Sequence, residues 1–547
     1  MKEEKIQVEI TGMTCEHCAK GIEKQLEGKA GIIDKSISYK QGKGEFTIDA
    51  NKISKDELIE AIDKIGNYKV SNILTDANEA NNYDLIIIGG GSSAFSAALK
   101  ANGLKLKTLL VNGGLPLGGT CVNVGCVPSK FLIRAAENIH KASHSPFKGI
   151  KPVKPTFDFK QIIQQKRELV GALQKKKYLN LLTDLEFVKV IEGFAQFEDT
   201  KTIVVNGSEK YSTLKFIIAT GSTTAIPKIE GLDKVPYLTN ESLFELEELP
   251  QSLIILGAGY IALEIAQAYQ RFGTEVTILQ RSENILSKEA KDVTDELSKH
   301  LIAEGINILT GTSIERVSKD GDKIKLDYSK SGKKATLESS HILVATGIKA
   351  NIEKLAPQKI GLELNTNGHI KVNEYLETNV SNIFAVGDVT NLPPFVYTAA
   401  YEGNIAVSNA FQGTQLKVEF TALPWVVFTD PQVAGVGMDE KEAEKNKIPY
   451  QISVLPLTEV PRSLAALDTR GFIKLIRNTE TDQLIGARIV APEGSELTME
   501  ISLAIKHGIK VKELVSTLHP YLTLSEGVKL ASIGFTSDIT KLSCCAS

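Results

Sequence analysis

The sequence predicts an α/β protein with two Rossmann-like units, an α+β domain after them and a small ferredoxin-like βαββαβ domain before them. Three observations predict this fold class. Short apolar strands at 83–88 and 252–256 each run directly into a glycine-rich turn and a helix. The first 73 residues follow the order strand, helix, strand, strand, helix, strand. After 421 the pattern changes to mixed strands and helices, with strands near 472–477 and 485–490.

Composition excludes several classes of protein. The chain has 547 residues, enough for three or four domains with full cores. Its formal net charge of −3 offers no basic field that would favour nucleic acid or an anionic membrane. We find no run of about 18 apolar residues, so we expect no membrane span. The charged start of the chain argues against a signal peptide, and we expect a cytoplasmic protein.

The six cysteines form three local pairs and leave none to connect distant segments. That arrangement is not a secreted disulfide framework. Paired thiols of this kind are typical of metal binding or redox chemistry. The pairs are Cys15 with Cys18, Cys121 with Cys126, and Cys544 with Cys545.

The first pair belongs to a Gly-Met-Thr-Cys-Glu-His-Cys loop at 12–18, between the first strand and the first helix. Two thiolates suit soft ions such as Cu(I) or Hg(II), and we expect His17 to be exposed rather than a ligand. Ser54 is expected to cap the second helix. The loop resembles the heavy-metal-associated domain of copper chaperones and metal-transporting ATPases. A thioredoxin-type redox pair is the alternative for Cys15 and Cys18, although its βαβ context is missing.

The central pair lies in Gly-Gly-Thr-Cys-Val-Asn-Val-Gly-Cys-Val-Pro-Ser-Lys at 118–130. We predict a helix from Pro128 to about Lys141, so that Cys126 would lie just before it. The partial positive charge of a helix N-terminus favours a thiolate. A short loop can also join Cys121 and Cys126 as a disulfide. Two unrelated buried thiols, or half of a zinc site, remain the alternatives.

The first Rossmann-like unit carries a G-x-G-x-x-A fingerprint of Gly89, Gly91 and Ala94. Its glycines let the backbone approach a pyrophosphate at the N-terminus of the following helix. The second strand of such a unit usually ends on an acid that binds ribose. Here it ends on Asn112, which can still hydrogen-bond a ribose hydroxyl without charge.

The second unit repeats the fingerprint at Gly257 and Gly259, so the chain is expected to bind two dinucleotides. Its second strand ends in Gln280-Arg281, without an acid. An acid there binds the 2′-hydroxyl of NAD, whereas an arginine accepts a 2′-phosphate. We therefore predict NADPH in this unit. The alternative for Arg281 is an ordinary surface charge.

The 118–130 stretch resembles the redox-active disulfide of the flavin-dependent pyridine nucleotide–disulfide oxidoreductases. The resemblance implies FAD in the first unit and a C2-symmetric homodimer formed by the last domain. It also implies that Lys130 pairs with Glu264 near the flavin, and that Tyr260 shields the flavin face where the nicotinamide lands. A plain structural ion pair is the alternative for Lys130 and Glu264. Further residues match the family's cofactor motifs: Gly119, Thr120, Gly221, Gly347 and Asp388.

Asp388 belongs to the motif that contacts the ribityl chain in this family, and an ordinary turn residue is its alternative. Glutathione reductase and dihydrolipoyl dehydrogenase carry a compact His-Pro-Thr segment with a nearby catalytic glutamate. Here two extra residues separate His519 from Glu526, and Tyr521 intervenes, which puts such a dyad in doubt. Tyr521 and the adjacent Cys544-Cys545 of the tail instead resemble the mercuric reductases. A redox tail like that of large thioredoxin reductases is the alternative for the last pair.

The mercuric reductase resemblance implies the reaction NADPH + Hg(II) → NADP+ + H+ + Hg(0). Cys121 and Cys126 would hold Hg(II), with Cys126 as the flavin-side thiolate, and Tyr521 would reach the metal site. The tail would enter the active site of the partner subunit and exchange Hg(II) from its thiol complexes. The alternatives are an NADPH-dependent disulfide reductase of the glutathione or lipoamide type and a metal-delivery protein.

The expected organisation has six segments. A heavy-metal-associated domain and a linker precede an FAD-binding domain, which an NADPH-binding domain interrupts, and a dimerisation domain with the Cys-Cys tail ends the chain. The expected bounds are 1–73, 74–82, 83–230, 231–350, 351–420 and 421–547.

Overall fold

The computed structural model describes residues 3–74 and 81–541. Cys544 and Cys545 therefore lie outside the described residues, as does most of the predicted linker.

The N-terminal domain is a four-stranded antiparallel sheet covered by two helices, and it confirms the predicted βαββαβ order. Ile6, Val8 and Ile10 alternate toward the helices and are buried. The Ser54 hydroxyl accepts the Glu57 N–H at 3.3 Å, which confirms the expected cap. The sheet has the order β2-β3-β1-β4. Its elements are β1 (Glu3–Thr11), β2 (Ile32–Ser38), β3 (Lys43–Asp49), β4 (Lys69–Leu74) and the helices Glu16–Gln25 and Lys55–Asp63.

The first Rossmann-like unit has a parallel centre, one face of which packs against the helices Ser92–Gly103 and Val396–Phe411, and an antiparallel extension at one edge. Its strands are β5 (Asn82–Ile88), β6 (Thr108–Asn112), β7 (Val188–Glu192), β8 (Ala195–Phe197), β9 (Thr202–Val205), β10 (Glu209–Ile218) and β20 (Ile383–Ala385). They follow the order β7-β6-β5-β10-β9-β8, and β20 pairs with β10. Its helices are Ser92–Gly103, Gly119–Asn123, Cys126–Ser143, Phe159–Gln174, Asn180–Leu182 and Val396–Phe411, with a π-helix at Lys175–Leu179.

The second unit is inserted between β10 and β20 and has a parallel sheet of order β14-β13-β12-β18. These strands are β12 (Ser252–Leu256), β13 (Glu275–Leu279), β14 (Asn307–Leu309) and β18 (His341–Val344). An antiparallel sheet of β15 (Thr312–Asp320), β16 (Lys323–Lys330) and β17 (Lys333–Ser339) packs beside it. A short ribbon joins β11 (Ser222–Thr224) to β19 (Ile348–Ala350). The helices are Asn240–Leu243, Tyr260–Phe272 and Lys291–Ala303.

The last domain is a five-stranded antiparallel sheet of order β21-β22-β25-β24-β23 with helices around it. Its core merges with that of the second unit, because Val427, Val433 and Val490 pack in one cluster with Leu263 and Tyr269. The strands are β21 (Trp425–Val427), β22 (Gln432–Gly437), β23 (Tyr450–Pro456), β24 (Phe472–Asn478) and β25 (Leu484–Ala491). The helices are Glu440–Lys445, Pro461–Ala466, Thr498–Lys506, Val511–Ser516 and Glu526–Ile533.

One predicted boundary is wrong at the centre of the molecule. The helix Cys126–Ser143 begins at Cys126 itself, two residues before the expected start at Pro128. A proline is tolerated at the third helical position because the first four N–H groups of a helix have no partner within it. Cys126 is therefore the first helical residue and does not lie just before the helix. Across both described ranges, none of the helices combines the length and the apolar character needed to cross a bilayer.

Candidate active site

Two glycine loops meet at the central cysteine pair. Cys121 lies in the one-turn helix Gly119–Asn123 and Cys126 opens the next helix. A Cβ on Gly119 would lie 2.7 Å from the Cα of Gly91. The dithiol segment therefore packs backbone to backbone against the fingerprint of the first unit, which only glycine permits. Thr120, between Gly119 and Cys121, belongs to the same turn.

Cys121 and Cys126 are free thiols that share a hydrogen bond. The bond that Cys121 donates lowers the pKa of Cys126 to about 7, with further help from Lys130 and against the effect of burial. The pKa of Cys121 is raised, because its proton is held in that same bond. When the pair loses one proton, the remaining proton therefore stays on Cys121 and the thiolate resides on Cys126.

Lys130 lies one turn beyond Cys126 on the same helix and pairs with Glu264 at 2.6 Å. The Glu264 carboxylate is buried, and its other oxygen accepts the Phe428 N–H at 2.9 Å. The Lys130 ammonium also lies 4.5 Å from the centroid of the Phe428 ring. The structure thus brings the predicted Lys130–Glu264 pair together. The sequence did not predict a role for Phe428, because the residues after 421 indicated only that the last domain begins there.

Tyr260 belongs to a row of aromatic rings beside this pair. Its ring stacks on Trp425 at 5.5 Å and on Phe395 at 6.4 Å, both with 23° between the planes. Phe395 stacks in turn on Tyr397 at 5.3 Å. Burial raises the pKa of Tyr397 to about 12, and the Cys126 thiolate adds to the shift. Phe395 and Tyr397 were missed, although their aromatic pattern directly follows the second flavin motif.

Tyr178 is a further residue that sequence reasoning missed. It lies in the π-helix Lys175–Leu179, and its ring meets Phe95 edge-on at 4.7 Å. Its hydroxyl shares a hydrogen bond with Ser92. The pKa of Tyr178 is raised, mainly by burial and to a smaller extent by the charges of Cys121 and Cys126. Tyr178 therefore lies within electrostatic range of the dithiol. No motif marks Tyr178 in the sequence, but π-helical turns often lie at functional sites.

The first unit fits FAD in its backbone shape. A Cβ on Gly89 would lie 2.1 Å from the carbonyl oxygen of Ala219, so the turn at φ +131° requires glycine. Gly91 precedes the helix Ser92–Gly103, and Ala94 in the first turn of that helix is fully buried. The N–H groups at that helix start are free to meet a pyrophosphate.

Polar groups around the same cleft also fit a bound dinucleotide. Asp388 is partly buried after β20, and its carboxylate accepts the Ser222 hydroxyl at 3.0 Å. Desolvation of this carboxyl raises its pKa. Among the described residues, buried Thr220 Oγ1 and Glu402 Oε1 have no hydrogen-bond partner. Gly221, at φ +66°, follows Thr220. These two buried polar atoms are available to hydrogen-bond a polar ligand.

The second unit fits NADPH in the same way. A Cβ on Gly257 would lie 2.5 Å from the Ala345 carbonyl oxygen, and Gly259 precedes the helix Tyr260–Phe272. Gly347 has φ +132° after β18. Arg281 is exposed two residues after the end of β13, where a 2′-phosphate would lie.

The N-terminal pair is open to solvent. The Sγ atoms of Cys15 and Cys18 lie 3.7 Å apart, and Cys15 caps the helix Glu16–Gln25. The pKa of Cys18 is lowered to about 6, first by the Thr14 N–H, then by the Thr14 and Tyr68 hydroxyls. Sequence reasoning missed Tyr68.

His17 is exposed, as expected. In the part of the chain that the structure describes, no group of three or more His, Cys, Asp or Glu side chains could hold a metal ion. Two thiols at this distance suit a soft ion of low coordination number.

The structure confirms the doubt about a His519–Glu526 dyad. His519 Nε2 lies 2.6 Å from Glu500 Oε1, on the helix Thr498–Lys506. Glu526 instead accepts the Leu522 N–H at 3.2 Å. In this longer segment, Glu526 binds a backbone N–H group instead of His519. The carboxylate of Glu500, from another helix, takes the place of Glu526 beside His519. Tyr521 is 50% exposed on the same segment.

Comparisons with known proteins agree across the chain. Residues 83–403 match the pyridine nucleotide-disulphide oxidoreductase family, 423–532 match its dimerisation domain, and 7–69 match the heavy-metal-associated domain. Mercuric reductase of Lysinibacillus sphaericus is 40% identical, with 99% of this chain and 100% of the relative covered. Mercuric reductase of Staphylococcus aureus is 38% identical, with 100% of each covered.

A solved structure has the same core fold. The HOCl-induced flavoprotein disulfide reductase RclA from Escherichia coli superposes with a TM-score of 0.73 at 28% identity, covering 82% of this chain and 98% of that protein. The chain therefore belongs to the pyridine nucleotide-disulphide oxidoreductase family and, within it, to the mercuric reductases.

Proposed function

We propose that this protein is a flavoenzyme that reduces Hg(II) to elemental mercury with NADPH, as part of mercury detoxification. The reaction is NADPH + Hg(II) → NADP+ + H+ + Hg(0). The observation that carries the proposal is the full-length similarity to mercuric reductases, which includes the N-terminal metal-binding domain. NADPH and FAD, when bound, supply the pair of electrons.

The central dithiol is proposed to hold the Hg(II) substrate. Two sulfur donors suit this soft ion, and the pKa of Cys126, lowered to about 7, makes a thiolate accessible near neutral pH. Cys121 loses its proton when it becomes the second ligand. The Lys130 ammonium favours the thiolate form of Cys126, while Glu264 and Phe428 hold Lys130 in place.

The remaining predicted residues are proposed to bind the two cofactors. Tyr260 shields the nicotinamide site from within its aromatic row. Residues proposed for FAD are Gly89, Gly91, Ala94, Asn112, Gly119, Thr120, Gly221 and Asp388. Residues proposed for NADPH are Gly257, Gly259, Arg281 and Gly347.

Substrate delivery is proposed to use the other two cysteine pairs. Cys15 and Cys18 capture Hg(II) on the N-terminal domain, because Cys15 is exposed, Cys18 is partly exposed and their sulfurs are close together. Cys544 and Cys545 exchange Hg(II) from bulky thiol complexes and pass it to the dithiol of the partner chain, near Tyr521. The matched dimerisation domain supports a homodimer with shared active sites.

A mixed dimer tests delivery across the interface. One chain carries Cys544→Ala and Cys545→Ala, and the other carries Cys121→Ala. If the tail acts on the partner chain, one site combines an intact tail with an intact dithiol, so activity exceeds that of either parent. Activity no higher than that of the parents would refute action across the interface.

The function itself is tested by NADPH oxidation with Hg(II)–thiol complexes, together with collection of mercury vapour. The expected result is Hg(II)-dependent NADPH oxidation with one mercury atom released per NADPH. NADPH oxidation without mercury release would contradict the proposal.

Reduction of a small disulfide is a second candidate activity, which the His519–Glu500 pair favours. A histidine held by a carboxylate can exchange protons with thiols. The same assay with glutathione disulfide or lipoamide in place of Hg(II) separates the two. Turnover that requires His519 only with the disulfide would support a second activity.

A further inference from the structure

Asn112 occupies the position where this type of fold usually presents a ribose-binding acid, yet its amide already has partners. The side chain is 3% exposed at the end of β6. Its Nδ2 donates to the Leu115 carbonyl at 3.1 Å and to Glu192 Oε2 at 2.9 Å. Both amide hydrogens are therefore committed within the protein.

Glu192 reaches Asn112 because β6 and β7 run parallel and end together. Asn112 and Glu192 are directly paired in the register of the two strands. The Gly193 N–H then donates to the Asn112 carbonyl at 2.7 Å, which locks the strand ends side by side. The carboxylate thus lies at the carboxyl edge of the sheet, where dinucleotides bind in doubly wound folds.

This pairing decides which end of the Asn112 amide faces the cofactor cleft. A carboxylate can only accept hydrogen bonds, so the amide must turn its NH₂ toward Glu192. Its Oδ1 then faces the glycine turn, where a Cβ on Gly90 would lie 2.1 Å from it. The atom left for a ribose hydroxyl is therefore an acceptor, as an acid would provide. Without Glu192, the Leu115 carbonyl alone would hold the NH₂ group in this orientation.

We propose that Glu192 is a positioning residue for the adenosine ribose of FAD, fixing the Asn112 amide with Oδ1 toward the ribose hydroxyls. Asn112 and Glu192 together then replace the single acid of related folds. The inference rests on FAD as the cofactor of the proposed function and is independent of the metal chemistry.

The test is titration of the apo-protein with FAD, followed by flavin fluorescence. Glu192→Ala is expected to raise the Kd for FAD about 3- to 10-fold, the typical effect of losing one hydrogen bond. Glu192→Gln, whose carbonyl still accepts from Asn112, is the matched control and should remain within about 3-fold of wild type. If the Glu192→Gln variant binds FAD as weakly as the alanine variant, with an unchanged thermal melt, the orienting role is overturned.

Two further variants show whether Glu192 acts through Asn112. Glu192→Ala should have no additional effect in an Asn112→Ala background, whereas additive losses would overturn the proposal. Asn112→Ala alone should weaken FAD binding by a similar factor. This variant keeps the test decisive even if Glu192→Ala alone folds poorly, because unchanged FAD affinity would count against the proposal.

An analogue of FAD with a 2′,3′-dideoxyadenosine half identifies the ligand group. The difference between wild type and Glu192→Ala should vanish with this analogue, and an equal difference with both ligands would overturn the assignment. Neither titration contains mercury or NADPH. A failure of the proposed Hg(II) reduction would therefore leave this result intact, and the reverse also holds.

Discussion

Glu264 accepts the backbone N–H of Phe428 at 2.9 Å, and this bond ties the second Rossmann-like unit to the last domain beside the dithiol. The other oxygen of Glu264 holds Lys130, whose ammonium faces the Phe428 ring. One residue of the last domain thus supports the lysine through its ring and the glutamate through its backbone. Lys130 lowers the pKa of Cys126, so this contact bears on the charge of the reactive sulfur.

Phe428→Leu should reduce the fraction of Cys126 thiolate at neutral pH by about 2- to 3-fold. It removes a cation–π contact typically worth about 0.5–2 kcal/mol but keeps the backbone N–H that holds Glu264. The measurement is the pH dependence of iodoacetamide labelling at Cys126. Phe428→Tyr keeps an aromatic face and should behave as wild type. An unchanged profile in the leucine variant would show that the ring has no influence on Lys130.

Replacing Cys121 should change both chemistry and acidity. Cys121→Ala removes the hydrogen bond that stabilises the Cys126 thiolate, so the Cys126 pKa should rise above about 7. Cys121→Ser keeps a donor and should raise it less. Neither variant should reduce Hg(II), because one soft ligand is lost, and both should retain FAD. Labelling against pH, mercury release and flavin content check these outcomes, and substantial turnover in either variant would argue against the site.

Arg281→Ala should raise the KM for NADPH roughly 10- to 100-fold, because a charge-assisted contact to the 2′-phosphate is worth about 1.5–3 kcal/mol. The KM for NADH should stay nearly constant, which makes NADH the internal control. Steady-state kinetics with both nucleotides provide the measurement. Equal losses with NADPH and NADH would indicate a structural role for Arg281.

Tyr68→Phe should raise the pKa of Cys18 from about 6, because the Tyr68 hydroxyl donates to the thiolate. The Thr14 contributions remain, so the pKa should stay below the ordinary thiol value. Mass spectrometry of the labelled full-length protein across pH gives the value. Tyr39→Phe, an exposed tyrosine elsewhere on the same domain, is the control and should have no effect. Equal profiles for all three proteins would exclude the hydroxyl contact.

Much of the architecture was predictable because its signals are local. Strand–glycine–helix patterns at 83–94 and 252–262, and the order of elements in the N-terminal domain, depend on spacing and turn chemistry within about 15 residues. The start of the central helix was placed wrongly for the same reason. Pro128 indicates a first turn, and only the folded chain shows that the turn begins at Cys126.

By itself, the sequence determined the fold class, the three cysteine pairs and the residues of the two glycine-rich turns that open the Rossmann-like units. Only the tertiary structure decided their partners: Phe428 beside Lys130, Glu192 beside Asn112, and Glu500 beside His519. These partners lie on elements separated by many residues or by whole domains. Their approach follows from sheet register and from packing between units, and the spacing of residues along one chain does not encode such distances.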